Sequence, residues 1–164
     1  MSDDKLQDYV EKAKKMLDKH GWMIQVVLGD SDPGFAYTVG FSKTLERPEV
    51  FMVGFAPDLM QALLNDLGQM IREGTEIKSP GFLDGLIRDY PVAFRPVEPL
   101  SVEENSNAGQ AILGHSFEAY QMFLPDPNGL FPWDPGCDPK YVKVQTKLLR
   151  TVGEPPIQPP RMTH

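Results

Sequence analysis

The chain has 164 residues, 41% of them hydrophobic and 24% charged, with a formal net charge of -7 and a single cysteine. That length suits one domain burying roughly 70% of its unfolded surface with no staple, and one cysteine excludes an internal disulfide framework and fits a reducing compartment. The acidic balance repels phosphate backbones, which disfavours nucleic-acid binding.

The start, Met1-Ser2-Asp3-Asp4-Lys5, is charged and no apolar run follows it. This predicts a chain without signal peptide or membrane span, in the cytoplasm. Leu6, Val10, Ala13 and Leu17 recur at helical spacing between roughly Asp4 and Lys19, and Gly21 is placed to stop that helix. Lys12, Lys14, Lys15 and Lys19, the densest basic cluster, form its solvated face. Trp22 to Leu28, Phe35 to Phe41 and Val50 to Phe55 read as strands. The second alternates unusually: Phe35, Tyr37, Val39 and Phe41 make a bulky face, while Ala36, Thr38 and Gly40 make a nearly flat one. A flat face must be approached closely by a helix, another sheet or a ligand. The gap from Phe41 to Val50 allows a wide hairpin but no helical crossover.

Pro57 opens a second helix with Met60, Leu63, Leu64, Leu67 and Ile71 on its apolar stripe and Gly74 at its end. Gly68 inside it costs about 1 kcal/mol relative to Ala, which close packing explains. Thr75 to Asp89 reads as an irregular connection. Tyr90 to Val97 reads as a strand that Pro91 and Pro96 push to an edge or restrict to pairing at its middle. Ser101-Val102-Glu103-Glu104 matches a capping box, opening a third helix that Gly114 closes. Phe117 to Leu124 is a further strand, and Tyr141 to Leu149 a short final one. The pattern predicts a single α+β domain over residues 1–150, with a mostly antiparallel sheet flanked by two or three helices. Residues 151–164, rich in proline, are expected as an exposed tail.

Pro125 to Asp138 holds three Asp and one Asn among four Pro and two Gly, with Trp133 at its centre. Asp126, Asn128, Asp134 and Asp138 are the oxygen ligands a hard cation requires. Asp-Pro-Asn-Gly and Asp-Pro-Gly are equally turn chemistry, and that reading is favoured over a metal. Cys137 reads as an inert loop residue, since His20, His115 and His164 fall in no cysteine-protease pattern. No G-x-S-x-G, Walker or dinucleotide-binding motif occurs. Gln121 shares a strand face with Phe117, Ala119 and Phe123, so a buried amide is expected, holding the loop or reading a ligand. Trp22 and Trp133 are read chiefly as core, with an aromatic ligand wall as the lesser alternative.

Taken together, His20-Gly21-Trp22, Pro33 to Gly40, Pro48-Glu49-Val50, Tyr90 to Val97, Gln121 leading into Pro125-Asp126, Gly129 and Phe131-Pro132-Trp133-Asp134 resemble the DUF4262 family of bacterial proteins over approximately His20 to Leu149. Cys137, where an aromatic residue is common, and the Gln145 to Leu149 ending depart from its pattern. The resemblance implies a fold and names no activity.

Two classes of function stay open. The first is a small-molecule-binding or protein-interaction module, with Thr38, Gly40, Gln121, Trp133 and Asp134 as candidate ligand-binding residues and the Trp133 loop as lid or rim. The second is an enzyme. In one form it binds flavin, because Thr-Val-Gly, a short loop and Pro-Glu-Val-Phe-Met-Val are laid out as in split-barrel flavin reductases. In the other, Asp126, Asp134 and Asp138 support metal-assisted hydrolysis. Cofactor, catalytic residues and oligomeric state are not specified by the sequence.

Overall fold

The computed structural model describes residues 3–30 and 34–158. Six strands, β1 (Met23–Val27), β2 (Phe35–Val39), β3 (Glu49–Val53), β4 (Gly81–Leu83), β5 (Val92–Pro96) and β6 (Ala119–Phe123), form one sheet in the order β1-β2-β3-β6-β5-β4. Every pairing is antiparallel except β3 with β6, where Glu49, Val50 and Phe51 lie beside Ala119, Tyr120 and Gln121. The sheet is open, with β1 and β4 at its edges, so the split-barrel layout is replaced by a mixed α+β sheet.

Helix α1 (Asp3–His20) ends where Gly21 takes φ +96° and donates its N–H back to Leu17 O at 2.8 Å. With α3 (Pro99–Asn105) and α4 (Asn107–Leu113), α1 encloses a core of Leu17, Tyr37, Val39, Phe51, Val102 and Ile112 on one sheet face. Helix α2 (Pro57–Arg72) covers the other, burying Met60, Leu64 and Leu67 against Ala36, Val50 and Met52. It is this helix that lies on the flat face of β2, where Ala36 and Thr38 have no exposed surface. Gly68 brings α2 so close that a methyl there would meet the Trp22 ring at 2.5 Å, which accounts for glycine in mid-helix.

Several sequence expectations are corrected. Tyr141 to Leu149 is not a strand: α5 (Pro139–Thr146) occupies it, with the Asp138 side chain accepting from Lys140 N and Pro139 in the first turn. Three residues of the supposedly irregular 75–89 connection form β4. Because β4 pairs with β5, Pro96 sits not in an edge strand but at the end of an interior one, past the last β4 pairing at Phe94. The Ser101 capping box is not made. Helix α3 already begins at Pro99, and the Ser101 hydroxyl accepts from Arg150 N instead, at 3.1 Å. Gly114, in the left-handed region at φ +83°, does close α4.

Candidate functional site

The most heavily wired side chain was not singled out by sequence. Glu49, fully buried at the start of β3, accepts five hydrogen bonds: from Thr38 Oγ1 (2.7 Å), Gly40 N (3.2 Å), Phe41 N (2.9 Å), Ser42 N (2.9 Å) and Ser42 Oγ (2.7 Å). The local cause is the β2–β3 connection. Gly40 at φ +123° turns the chain into a π-helical turn over Phe41–Leu45, which points three successive N–H groups inward. A side chain at Gly40 would strike Gly21 O at 2.6 Å, so the turn needs glycine for space as well as for φ. Thr38 completes the cage. Antiparallel pairing of β2 with β3 stops at Tyr37 and Phe51, and beyond it the Thr38 hydroxyl accepts from Val50 N at 2.9 Å while donating to Glu49. Burial raises the Glu49 pKa above the ordinary carboxylate value, and the bonds from Ser42, Thr38 and Gly40 offset part of that rise.

Ser42 carries this arrangement to the surface. It lines a cleft of about 360 Å³ with Arg47, His115, Ser116, Phe117 and Glu118. On one side Ser42 and His115 also line a hollow of about 460 Å³ with Lys14 and Lys43. On the other, Ser116 to Glu118 lead into a more apolar one of about 500 Å³ against Pro96, Val97 and Val102. The His115 Nδ1 lies 2.7 Å from Ser116 O, which assigns the proton to Nδ1 and leaves the Nε2 lone pair free in the neutral ring. The Ser42 proton is committed to Glu49, so its oxygen offers only acceptor capacity to the cleft. Arg47 supplies a permanent cation.

In the Pro-rich loop the carboxylates bind backbone. Asp126 accepts from Asn128 N (2.9 Å), Leu130 N (2.9 Å) and Asp138 N (2.8 Å). Asp134 accepts from Phe131 N at 2.8 Å, and Asp138 caps α5. Burial raises Asp126, but the combined bonds from Asp138, Leu130, Asn128 and the Cys137 thiol outweigh it and hold its pKa below the ordinary value. Cys137, buried and surrounded by Asp126, Asp134 and Asp138, is pushed up to about 11, which leaves it a neutral thiol near pH 7. Among the described residues, no group of three or more His, Cys, Asp or Glu could hold a metal ion.

The candidate residues fall into two places. Thr38 and Gly40 meet at Glu49, at the β2–β3 connection. Trp133 and Asp134 belong to the Pro-rich loop on the sheet face away from α2, where Trp133 packs with Phe123 and Phe131. Gln121 has no exposed surface. Its Nε2 donates to Gln145 O at 2.6 Å, and the Gln145 side chain in turn bonds Leu124 N and Leu124 O, so the pair of amides ties α5 to β6. Gln121 Oε1 has no partner among the described residues. Trp22 and Trp133 form no common wall: Trp22 packs edge-on to Phe41 beneath Arg72, whose guanidinium carbon is 4.4 Å from its ring centroid.

An open mixed sheet flanked by helices, with a caged carboxylate behind a polar surface cleft, defines a single α+β domain. Residues 16–138 match the family described as "Domain of unknown function (DUF4262)", and the chain belongs to that family. Among curated proteins and among solved structures, nothing matches the chain. No helix among the described residues is long and apolar enough to cross a membrane.

Proposed function

We propose that this protein is a small-molecule-binding module whose ligand occupies the cleft between Ser42, Arg47 and His115. The observation that carries this reading is the coupling of that cleft to the Glu49 cage: one wall is the very turn whose N–H groups the buried carboxylate fixes. Buried wiring behind a surface hollow is how a binding surface is held in shape before the ligand arrives. Arg47 suits a carboxylate or phosphate group, and Phe117 with Pro48 gives an apolar shelf for the rest of a small molecule. Glu118 and Glu46 on the rim disfavour large polyanions.

Native mass spectrometry of freshly purified protein, followed by calorimetric titration with small carboxylates and phosphate monoesters, tests the reading. A ligand of this class should bind the natural chain and lose at least about tenfold in affinity in Arg47→Ala, in line with the loss of a charge-assisted bond. Arg47 is half-buried and, among the described residues, its side chain hydrogen-bonds to the adjacent Glu46 O at 3.0 Å, so the variant should keep the fold. Absence of any bound species and of any heat on titration would sink the proposal.

A further inference from the structure

On the face opposite α2, residues 151–158 run over the Pro-rich loop and the end of β5. Thr151 bridges to Val97, and Val152 N donates to Pro96 O at 2.9 Å. Beyond that point the segment leaves the sheet. Arg95 Nη2 donates to Gly153 O at 2.7 Å, Trp133 Nε1 donates to Pro156 O at 2.7 Å, and Gln158 Nε2 donates to Gly129 O at 3.0 Å. The receiving surface is aromatic and cationic: Trp133 stacks on Phe131 with centroids 5.3 Å apart, and the Arg95 guanidinium lies 5.6 Å from the Trp133 ring centroid.

The two carbonyls that Arg95 and Trp133 read belong to residues three apart: Gly153, where the chain bends at φ +75°, and Pro156, the second residue of the Pro-Pro pair. An indole N–H donating to the carbonyl of a Pro-Pro pair, beside a second aromatic ring, is the chemistry by which proline-rich segments are bound. The segment lies on this surface with much of its own length open to solvent. Val152, Gly153, Glu154 and Ile157 are exposed, Ile157 at 77%. Arg95 Nε is buried with no partner among the described residues. Among the described residues, three side-chain bonds hold the stretch beyond Val152, and one donor beneath it is unmet.

We propose that the Trp133–Arg95 surface is a docking site for a proline-rich segment of a partner protein, and that residues 153–158 occupy it in cis as an internal competitor. A partner segment wins by offering an acceptor that also reaches Arg95 Nε.

Fluorescence anisotropy of a labelled peptide copying residues 151–158, titrated with full-length protein, tests this. In the full-length variant Pro155→Gly/Pro156→Gly the tethered competitor is loosened. Because a short tether acts at millimolar effective concentration, the peptide should bind that variant at least about tenfold more tightly than the natural chain. A peptide with both prolines replaced by glycine should bind neither protein, and adding Trp133→Phe to the double variant should remove binding of the proline peptide. Equal affinity for the natural chain and the double variant overturns the proposal. So does equal binding of the proline and glycine peptides, a comparison that leaves the protein unchanged and decides the matter if Trp133→Phe fails to fold. A concentration-dependent dimer of the natural chain, lost in the double variant and unaccompanied by peptide binding, would show instead that the surface exchanges tails between copies, and overturns the partner assignment.

Discussion

Glu49 and Asp126 solve the same problem with opposite electrostatic results. Each is a buried carboxylate that gathers backbone N–H groups from a tight turn, yet burial leaves Glu49 raised and hydrogen bonding leaves Asp126 lowered. The surroundings of the donors differ. Gly40 and Phe41 are themselves buried, with Phe41 packed into the α2 core, whereas Asp126 sits in a loop whose Pro127 and Asn128 are exposed. The same number of backbone bonds therefore works against a much larger desolvation cost at Glu49 than at Asp126.

Removal of the carboxylates is the strongest way to break this comparison. Glu49→Ala leaves three turn N–H groups and the Thr38 hydroxyl without an acceptor in a dry place. It should cost about 4 kcal/mol in urea unfolding, at the high end for a single substitution. Asp126→Ala should cost less, about 2 kcal/mol, because water reaches the exposed loop and replaces part of what is lost. Equal losses would mean that the burial difference has no energetic meaning.

The dependence on pH sharpens the contrast, because the two signs oppose. A raised Glu49 means the folded chain holds that proton more tightly, so its contribution is full below the unfolded value of about 4.3 and is lost as pH rises through the folded value. A lowered Asp126 contributes fully above about 3.9, and its contribution is lost as pH falls through the folded value. As pH rises from about 4 to about 7, the stability gap between the natural chain and Glu49→Gln should narrow, while the gap to Asp126→Asn should stay nearly flat there, having widened as pH rose from about 2 to about 4. Both gaps moving the same way would refute the contrast.

The smallest expected effect concerns Cys137. With its thiol pushed up to about 11 by burial and three carboxylates, it should resist alkylation near pH 8 in the folded chain. Asp134→Asn removes one of those charges and should speed iodoacetamide labelling by only about two- to threefold. A larger increase would mean that Asp134, through its bond to Phe131 N, holds the loop shut as well as charging it.

Much of this fold was legible in the sequence. The stripe Met60, Leu63, Leu64, Leu67, Ile71 buries as its period requires, and the flat face of β2 meets a helix. Where local pattern misled, a competing local signal was present: Tyr141, Val142 and Val144 favour a strand, but Asp138-Pro139 is a helix start, and the helix won. Strand β4 is too short to carry an alternating pattern. The candidate site was harder to see. A glutamate at the head of an apolar strand looks like a solvated terminus; its burial arises because the chain from Gly40 to Ser42 folds over it. The turn roles of Asp126 and Asp134 could be read from Asp-Pro-Asn-Gly and Asp-Pro-Gly. The role of Gln121 depended on Gln145, 24 residues later in the chain.

The parallel contact between β3 and β6 has a consequence for how the molecule assembles. Strands β1 to β3 form one antiparallel set and β4 to β6 another, each built from strands consecutive in the chain, and among the described residues the two sets pair along Glu49–Phe51 and Ala119–Gln121. Closing that seam joins segments separated by α2, β4, β5, α3 and α4, so it bears the largest loop-closure entropy in the sheet. Pairing within each set closes shorter loops than the seam does, so loop entropy favours forming the two sets before they join.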